Sequence, residues 1–501
     1  MVFMLAAKGI GALFRIPLTN IVGAEGMGLY QMVYPFYALL LTVSSGGLPA
    51  AISKIVASKN DERASMRVLK VAVIALAIIG GVTALAVLIL RKFIATVQGN
   101  SLAGVAYLGI APAVLFVCVI SVLRGYFQGR RNMVPSGISQ MVEQVFKLVF
   151  GLFFASLMVK RGVEYGVLGA LLGVSLSELF ALVFLLVCLL YHKKDYDRRT
   201  RISLSKAIEA GEMVIPSIYL EQRAVEVIKS VFRIALPVTL SSLVLPLTQV
   251  IDSVLIVNLL SQSVPVTTAT ALFGLINGPI GSLINMPTVL TMSLGVSLLP
   301  KIAAATDKKA EYGASALKVA MTIALPCTVV FLFFSREILT VLYSRGLSDE
   351  QIEIGAHLLR IGSLSVTYIA LIQVATSCLQ AVDKAHLPAI NLIIGAVIKV
   401  ALTVLLLQFG SITGAMVASV TCYAVTALLN FVQMKKHFPL GCEKKWLLAL
   451  PVAVTVFGLA KLAYGGFNFR YGAVVAIFVA VVCYAVALLS MRLVKIKEFF
   501  A

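Results

Sequence analysis

Residues 69–90 read LKVAVIALAIIGGVTALAVLIL, an apolar run in which Lys70 is the only charged side chain. About 20 apolar residues is the length that an α-helix needs to cross the hydrocarbon core of a bilayer. The opening of this run recurs as LKVAMTIAL at residues 317–325, an offset of 248 positions from Leu69 to Leu317. The two stretches together predict membrane-spanning helices in two related halves.

The composition of the whole chain agrees with a membrane protein. Of its 501 residues, 60% are hydrophobic and 13% are charged, whereas a soluble domain averages about 45–50% apolar and about 25% charged residues. Inside lipid, the backbone polar groups must be satisfied internally, which leaves helices or a closed barrel. The apolar runs are longer than the roughly 10-residue alternating segments of a barrel strand. The predicted fold is therefore an all-α membrane protein.

Fourteen apolar windows follow one another along the chain, which predicts about 14 transmembrane helices. They lie at roughly 1–22, 28–52, 68–90, 102–123, 134–158, 166–191, 235–259, 268–299, 315–334, 358–381, 387–409, 413–433, 446–463 and 472–490. The predicted parts are a first lobe (residues 1–191, spans one to six), a basic cytoplasmic loop (192–234), a second lobe (235–433, spans seven to twelve) and a C-terminal part with spans thirteen and fourteen and a tail (434–501).

The basic residues predict the orientation of the spans. The net charge is +20, and most Lys and Arg side chains fall in alternate connections, including Arg124, Arg130 and Arg131 after the fourth span. Cytoplasmic connections of membrane proteins carry this excess. We therefore expect both termini in the cytoplasm and anionic membrane lipids, not nucleic acid, as the partners of this charge. The stretch EQRAVEVIKSVFRIALP at 221–237 has amphipathic helical spacing and predicts a helix on the membrane surface.

Two further matches support the repeat. Pro49 near the end of the second span corresponds to Pro300 near the end of the eighth, and Lys147 of the fifth span corresponds to Lys399 of the eleventh. Equivalent spans are six apart, an even number, so both lobes have the same orientation. The predicted architecture is two parallel six-helix repeats, related by an axis along the membrane normal, with two C-terminal helices added.

Two cations within the first span need an explanation, because a charge at the bilayer centre costs at least about 2.5–3.5 kcal/mol on insertion scales. Lys8 and Arg15 are seven residues apart, which places them two turns apart on one helix face. Either the side chains extend to opposite membrane interfaces, or they line a polar cavity. We take them as candidate cavity residues and add Asn277 and Asn285, two polar side chains of the eighth span.

Other charged side chains are candidates for coupling or gating. Glu143 and Lys147 have the spacing of an intrahelical ion pair, with a coupling or gating site as the alternative. Asp252, with Gln249 one turn before it, is a candidate proton or cation site or a hydrogen-bonded contact between helices. Lys399 is the lone strong charge of the eleventh span.

Gly278, Pro279, Gly281 and Pro287 predict a kinked or broken eighth span. The seven cysteines and four histidines show no metal-ligand spacing. We therefore predict no metal site.

A resemblance to a known family rests on three motifs. They are GAEGMGLYQ at 23–31, GGLPAAISK at 46–54 and ISQMVEQVFKL at 138–148, the first two within a longer similar run over 8–58. The chain resembles SpoVB-like polysaccharide transport proteins of the multidrug/oligosaccharidyl-lipid/polysaccharide (MOP) exporter superfamily, which also contains the lipid II flippases. The resemblance covers nearly the whole chain in length, span number and two-lobe layout, with a MATE-like fold.

The resemblance implies a flippase of the bacterial cytoplasmic membrane that alternates between inward- and outward-open states. Its cargo would be an undecaprenyl-pyrophosphate-linked sugar, lipid II or a related precursor of cell wall or polysaccharide, and cell-wall synthesis proteins are candidate partners. In lipid II flippases, basic residues on the first, second and eighth spans line the cavity. Lys8 and Arg15 match the first-span pair, but here the second and eighth spans carry no such arginine.

The expected driving force is membrane potential, H⁺ or Na⁺, without a cofactor, and no phosphate-binding GxxxxGK[ST] motif occurs in the chain. The alternative within the superfamily is a cation-coupled multidrug exporter, for which Asp252 and Glu143 would serve. A membrane-embedded glycosyltransferase would need acidic residues on an outer loop. Here that loop holds only the scattered carboxylates Glu337, Asp349, Glu350 and Glu353, so we predict a transporter and not an enzyme.

Overall fold

The structure, a computed structural model, describes residues 2–45, 47–58, 62–209, 224–304, 309–438, 448–464 and 472–491. All regular elements in these ranges are helical. The α-helices are α1 (Val2–Ser45), α2 (Leu48–Ala57), α3 (Glu62–Val97), α4 (Ala103–Gly129), α5 (Val134–Met158), α6 (Val163–Glu209), α7 (Ala224–Ser242), α8 (Val244–Leu260), α9 (Val266–Leu275), α10 (Gly281–Ala304), α11 (Lys309–Phe333), α12 (Ser335–Tyr343), α13 (Asp349–Gly362), α14 (Leu364–Ala381), α15 (His386–Leu407), α16 (Thr413–His437), α17 (Ala449–Tyr464) and α18 (Gly472–Ser490).

The described helices have the length and composition of a multi-pass membrane protein. Eleven of the described stretches are long and apolar enough to cross a membrane, and Pro246–Leu260 and Ala449–Tyr464 are shorter apolar helices. Side chains such as Ile78, Val82 and Ile89 of α3 are more than half exposed, as is expected where lipid covers the surface. The predicted all-α membrane fold is confirmed, and the number of 14 crossings stays a prediction.

Helix α1 is a hairpin of two antiparallel arms that meet at Gly23. Gly23 has φ 71° and ψ −174°, a conformation that only glycine adopts without strain. The rings of Phe14 and Tyr30 lie 6.4 Å apart, although 16 residues of straight helix would separate them by about 24 Å. The first arm (2–22) and second arm (24–45) therefore lie side by side. They correspond to the first two predicted spans.

Some predicted boundaries differ from the structure. The predicted loop 192–234 begins as helix, because α6 continues to Glu209; residues 210–223 lie outside the described residues. The predicted amphipathic helix forms as α7, and its buried side chains Val227, Val231 and Ala235 join a core with α2 and α3. The apolar face of α7 therefore packs on protein.

The eighth span is broken as its glycines and prolines predict. A single π-helical turn, Ile276–Ile280, separates α9 from α10. Pro279 has no N–H for the helical hydrogen bond, and its ring needs room in the preceding turn. The wider turn accommodates both requirements.

The hairpin α1 joins the two halves of the chain. It packs on α4, α5 and α6 of the first half and on α8, α9 and α10 of the second. We call the end of the bundle that contains Gly23, Gly99 and Gly346 the Gly23 end. The opposite end, which contains Gly47, Gly129 and Arg130, is called the Arg130 end. At the Gly23 end, the two halves meet through α1. At the Arg130 end, α7 packs on α2, and a Cβ atom on Gly47 would lie 2.2 Å from the carbonyl oxygen of Ala235. The candidate site is described from the Gly23 end.

Candidate functional site between the halves

Three glycines bring the two halves into backbone contact at the Gly23 end. A Cβ atom on Gly28 of α1 would lie 2.0 Å from the carbonyl oxygen of Thr270 on α9, and one on Gly274 would lie 2.2 Å from that of Ala24. A Cβ on Gly346 would lie 2.3 Å from the carbonyl oxygen of Thr19. No larger residue fits at these positions without moving backbone. The halves are therefore closed against each other at this end.

Polar side chains reinforce the same contact. Asn20 Nδ2 donates to the carbonyl of Leu342 at 2.7 Å, and Asn100 Nδ2 donates to Thr270 Oγ1 at 2.9 Å. Gln98 Nε2 donates to Ser253 Oγ at 3.1 Å. Each bond links the first half to the second and replaces water at buried polar groups. Sequence reasoning missed Gln98 and Asn100. The available signal was that two amide side chains flank Gly99, just after the third span.

Arg15 lies on the first arm of α1, two turns before the hairpin. The positively charged guanidinium lies near the Tyr30 phenol on the second arm and near the Tyr343 phenol on α12 of the second half. Its side chain is half-buried. Among the described side chains, none forms an ion pair or hydrogen bond with it. A half-buried arginine between the two halves, with its donors unused, can bind an anion.

Lys8 lies on the same arm, and its side chain is outside the described residues. Asn277 belongs to the π-helical turn, where its carbonyl oxygen accepts from Gln31 Nε2 of α1 at 2.5 Å and its Nδ2 donates to Phe273 at 3.2 Å. Asn285 is exposed on α10, where its Nδ2 donates to the carbonyl of Gly281 at 2.7 Å. Asn277 thus lies at the contact between the halves, and Asn285 occupies an exposed position of α10.

The predicted ion pair between Glu143 and Lys147 does not form. Glu143 Oε2 instead pairs with Arg124 Nη2 of α4 at 3.0 Å. Lys147 is 7% exposed, and its Nζ lies 4.8 Å from the ring centroid of Tyr34 and 5.3 Å from that of Phe14. The Arg124 guanidinium uses one nitrogen for Glu143 and another for Ser139, and ring faces stabilise the lysine instead.

Arg124, one of the predicted cytoplasmic basic residues, packs against α5. Its side chain is 16% exposed, and its Nε donates to Ser139 Oγ at 2.9 Å. It therefore lies inside the first half. Sequence reasoning missed Glu178 of α6, which is also buried there, although a lone carboxylate within the apolar run 166–191 was the available signal.

Asp252 and Lys399 form one ion pair in the second half. Lys399 Nζ of α15 donates to Asp252 Oδ2 of α8, and the two side chains are 14% and 6% exposed respectively. Gln249 is exposed and takes no part in the pair. Of the two interpretations of Asp252, the hydrogen-bonded contact between helices is the one found.

The two lysines that match in the sequence repeat occupy matching places. Lys147 packs on Phe14, nine residues before Gly23, and Lys399 binds Asp252, nine residues before Ser261 at the end of α8. Each lysine therefore projects from the fifth helix of its half onto the same position of the first. This agrees with the predicted parallel repeat.

Comparisons with known proteins identify the fold. Residues 1–306 match the profile of the family described as "Polysaccharide biosynthesis protein". Stage V sporulation protein B of Bacillus subtilis is 28% identical over 99% of this chain and 94% of its own. Lipid II flippase MurJ of the same organism is 25% identical over 85% and 80%.

Solved structures give the same result. An inward closed conformation of Lipid II flippase MurJ superposes with a TM-score of 0.74 over 98% of both chains at 13% identity. An inward-facing MATE family multidrug resistance transporter superposes with a TM-score of 0.62 over 86% of this chain and 94% of that one at 14% identity. The predicted MATE-like fold is confirmed.

Proposed function

Because the chain belongs to the polysaccharide biosynthesis protein family, as a SpoVB-like member of the MOP exporter superfamily related to MurJ, we propose that it is a flippase for an anionic lipid-linked saccharide. The proposed cargo is an undecaprenyl-pyrophosphate-linked sugar, such as lipid II or a related precursor. The proposed location is the bacterial cytoplasmic membrane, with both termini in the cytoplasm. Cell-wall synthesis proteins stay candidate partners.

The observation that carries the proposal is the position of Arg15. A pyrophosphate cannot enter hydrocarbon unaided, because its charge would lose its hydration without compensation. An arginine replaces that hydration with charge-assisted hydrogen bonds to phosphate oxygens. Arg15 lies where the two halves meet, beside Tyr30 and Tyr343, and Lys8 precedes it by seven residues on the same arm. The polyprenyl tail stays in the bilayer during transfer.

Alternating access would proceed by breaking the contact at the Gly23 end. That contact consists of close glycine–backbone approaches, of hydrogen bonds such as Asn100 to Thr270, and of apolar side chains from both halves that pack in one continuous core. All three must separate. Outward transfer of an anion releases about 2.3 kcal/mol per charge per 100 mV of inside-negative potential. Membrane potential or a coupled cation is therefore the proposed driving force, with no cofactor.

The two rival functions have less support. A multidrug exporter for cations needs accessible acidic groups, but Asp252 is bound by Lys399 and Glu143 by Arg124. An outer-face glycosyltransferase needs available carboxylates. Glu337 is bound by Lys461, and Glu353 pairs with Arg336 at 3.1 Å. Asp349 and Glu350 are exposed neighbours in the first turn of α13.

Reconstitution tests the proposal. Proteoliposomes containing a fluorescent lipid-pyrophosphate saccharide should show protein-dependent movement of the headgroup, faster under an imposed potential that is negative on the starting side. Arg15→Ala should slow the movement about tenfold or more, since hydrogen bonds to charged groups contribute ~1.5–3 kcal/mol each. Lys194→Ala removes an equal charge from an exposed position of α6 and should leave the rate unchanged.

Two results would contradict the proposal. One is full activity of the Arg15→Ala protein, which would remove the proposed anion site. The other is movement that does not respond to potential or to any cation gradient, which would remove the proposed driving force.

A further inference from the structure

Glu178 is a buried carboxylate that has almost no hydrogen bonds. It lies in the middle of α6 and is 5% exposed. Its Oε1 contacts the hydroxyl of Tyr37, on the second arm of α1, at 3.3 Å. Its Oε2 is buried and has no hydrogen-bond partner within the described part of the chain. An ionised carboxylate can accept about four hydrogen bonds, whereas Glu178 accepts one long hydrogen bond, from Tyr37, within the described part of the chain.

The charged groups around Glu178 have other binding partners. Across from it, α4 contributes Arg124, whose guanidinium is bound to Glu143 at 3.0 Å. Helix α5 contributes Glu143 itself and Lys147, whose ammonium rests on the rings of Tyr34 and Phe14. Helix α1 contributes the phenols of Tyr34 and Tyr37. No cation among these described groups forms an ion pair with Glu178.

A buried carboxylate in such surroundings binds a proton readily, because burying an uncompensated charge costs far more than burying the neutral acid. Protonation also changes the charge of the group. Arg124, Lys147, Glu143 and Glu178 sum to zero when both carboxylates are ionised, and to +1 when Glu178 carries a proton.

A row of rings connects this carboxylate to Arg15. Tyr37 and Tyr34 have ring centroids 6.0 Å apart, and Tyr34 and Tyr30 are stacked at 5.3 Å. Lys147 Nζ donates to the Tyr34 hydroxyl at 3.4 Å, and both Lys147 and Arg15 are charged neighbours of Tyr30. Glu178 and the proposed headgroup site therefore belong to one electrostatic unit along the second arm of α1.

We infer that Glu178 is a proton-binding site whose proton balances the charge of the anionic headgroup bound near Arg15. This rests on the proposed function. An anion near Arg15 favours the +1 state of the group, so headgroup binding and protonation of Glu178 promote each other. By linkage, the coupling is reciprocal: a bound proton strengthens binding by the same factor by which a bound headgroup strengthens protonation. The proton offsets one negative charge of the headgroup, so less net charge is buried when the halves close around it.

Calorimetry on the full-length protein in detergent tests this inference, with farnesyl pyrophosphate as a soluble probe. The probe's heat of binding, measured in buffers of different ionisation enthalpy, gives the protons taken up. Wild type should take up more protons than Glu178→Gln, up to one per probe, and its affinity should fall more steeply with rising pH, by up to about tenfold per unit for one linked proton. Comparison of the two proteins cancels the titration of the probe itself.

Glu164→Gln is the matched control, because Glu164 is the partly exposed carboxylate in the first turn of the same helix. It should behave as wild type. Equal proton uptake by wild type and Glu178→Gln would overturn the inference. If Glu178→Gln does not purify as a folded protein, Tyr37→Phe takes its place. Removing the Tyr37 hydrogen bond to the carboxyl should shift the pH range over which probe binding takes up a proton. An unchanged dependence of proton uptake on pH would equally overturn the inference.

A separate measurement distinguishes failure of the inference from failure of the proposed function. If wild type binds no pyrophosphate probe, the proposed function fails while the proton site stays open to test. Infrared difference spectra between neutral and alkaline pH should then show the C=O band of a protonated carboxyl. That band should be absent in Glu178→Gln and present in Glu164→Gln. Its absence from wild type would refute the proton site on its own.

Discussion

At the residue scale, the two halves stabilise equivalent buried lysines in different ways. Lys399 has a carboxylate partner in Asp252. Lys147, at the matching place, rests on the faces of Phe14 and Tyr34 and donates a hydrogen bond to the Tyr34 hydroxyl at 3.4 Å. A carboxylate neutralises the ammonium, whereas ring faces stabilise the charge and leave it in place. The first half therefore keeps positive charge close to Arg15, and the second half is balanced at this position.

The Asp252–Lys399 pair should show strong coupling in stability. Removing one partner leaves a buried charge unpaired, which costs about 3–5 kcal/mol. Asp252→Asn and Lys399→Met should therefore each lower the temperature or denaturant concentration of unfolding markedly, while the double variant recovers most of the loss. Unfolding of the purified variants in detergent measures this. If the double variant instead loses the sum of the two single losses of stability, the interaction between Asp252 and Lys399 contributes little.

At the element scale, α1 and α9 determine the closed state, because both present glycine to the other's backbone. Gly28 faces the carbonyl of Thr270, and Gly274 faces the carbonyl of Ala24. Such reciprocal contacts allow two helix backbones to approach as closely as small residues permit in membrane proteins. The π-helical turn that follows α9 brings Gly278 against Met27 of the same hairpin.

Enlarging one of these glycines should open the Gly23 end. Gly28→Ala places a methyl 2.0 Å from the Thr270 oxygen, so the backbones must separate and the closed state loses population. Spin labels at the exposed positions Ser101 and Gln262, one in each half, should report longer distances by pulsed electron resonance. Gly81→Ala, whose new Cβ meets nothing within 4 Å, is the control. An unchanged distance distribution in Gly28→Ala would show that the contact does not hold the end closed.

At the scale of the whole molecule, the two ends of the bundle differ in basic charge. Lys54, Arg130, Arg131, Lys193 and Lys194 lie at or near the Arg130 end. At the Gly23 end, the turns around Gly23, Gly99 and Ser261 hold no basic residue, and the turns at Gly162 and Gly346 hold Lys160, Arg161 and Arg345. This asymmetry is typical of cytoplasmic and outer faces. It predicts that the Gly23 end faces outward and that the described conformation is closed to the outside.

Labelling in intact cells checks the orientation. A membrane-impermeant thiol reagent should modify Ser101→Cys at the Gly23 end and should not modify Arg131→Cys at the Arg130 end until the membrane is permeabilised. Both positions are exposed, so a difference reports sidedness and not burial. The reverse pattern would invert the predicted topology and, with it, the proposed direction of transport.

The sequence by itself determined the class of fold and most of its elements. Apolar runs such as 69–90 have the length of a bilayer crossing, and helix is the conformation that satisfies their backbone in lipid. Gly278 and Pro279 predicted the break in the eighth span for an equally local reason. Even the repeat was readable, because Lys147 lies twelve residues after Pro135 and Lys399 eleven residues after Pro388, each proline being near the start of its helix.

Only the tertiary structure decided which charged groups meet. Glu143 has Lys147 one turn away, yet it binds Arg124 on α4, and Asp252 binds Lys399, 147 positions later in the chain. Sequence spacing predicts neighbours within one helix, whereas pairs between helices depend on the packing of surfaces that are far apart in the chain. For the same reason, the sequence shows Glu178 as a lone carboxylate in an apolar run, but it does not show which groups surround it or where the glycines of the two halves meet.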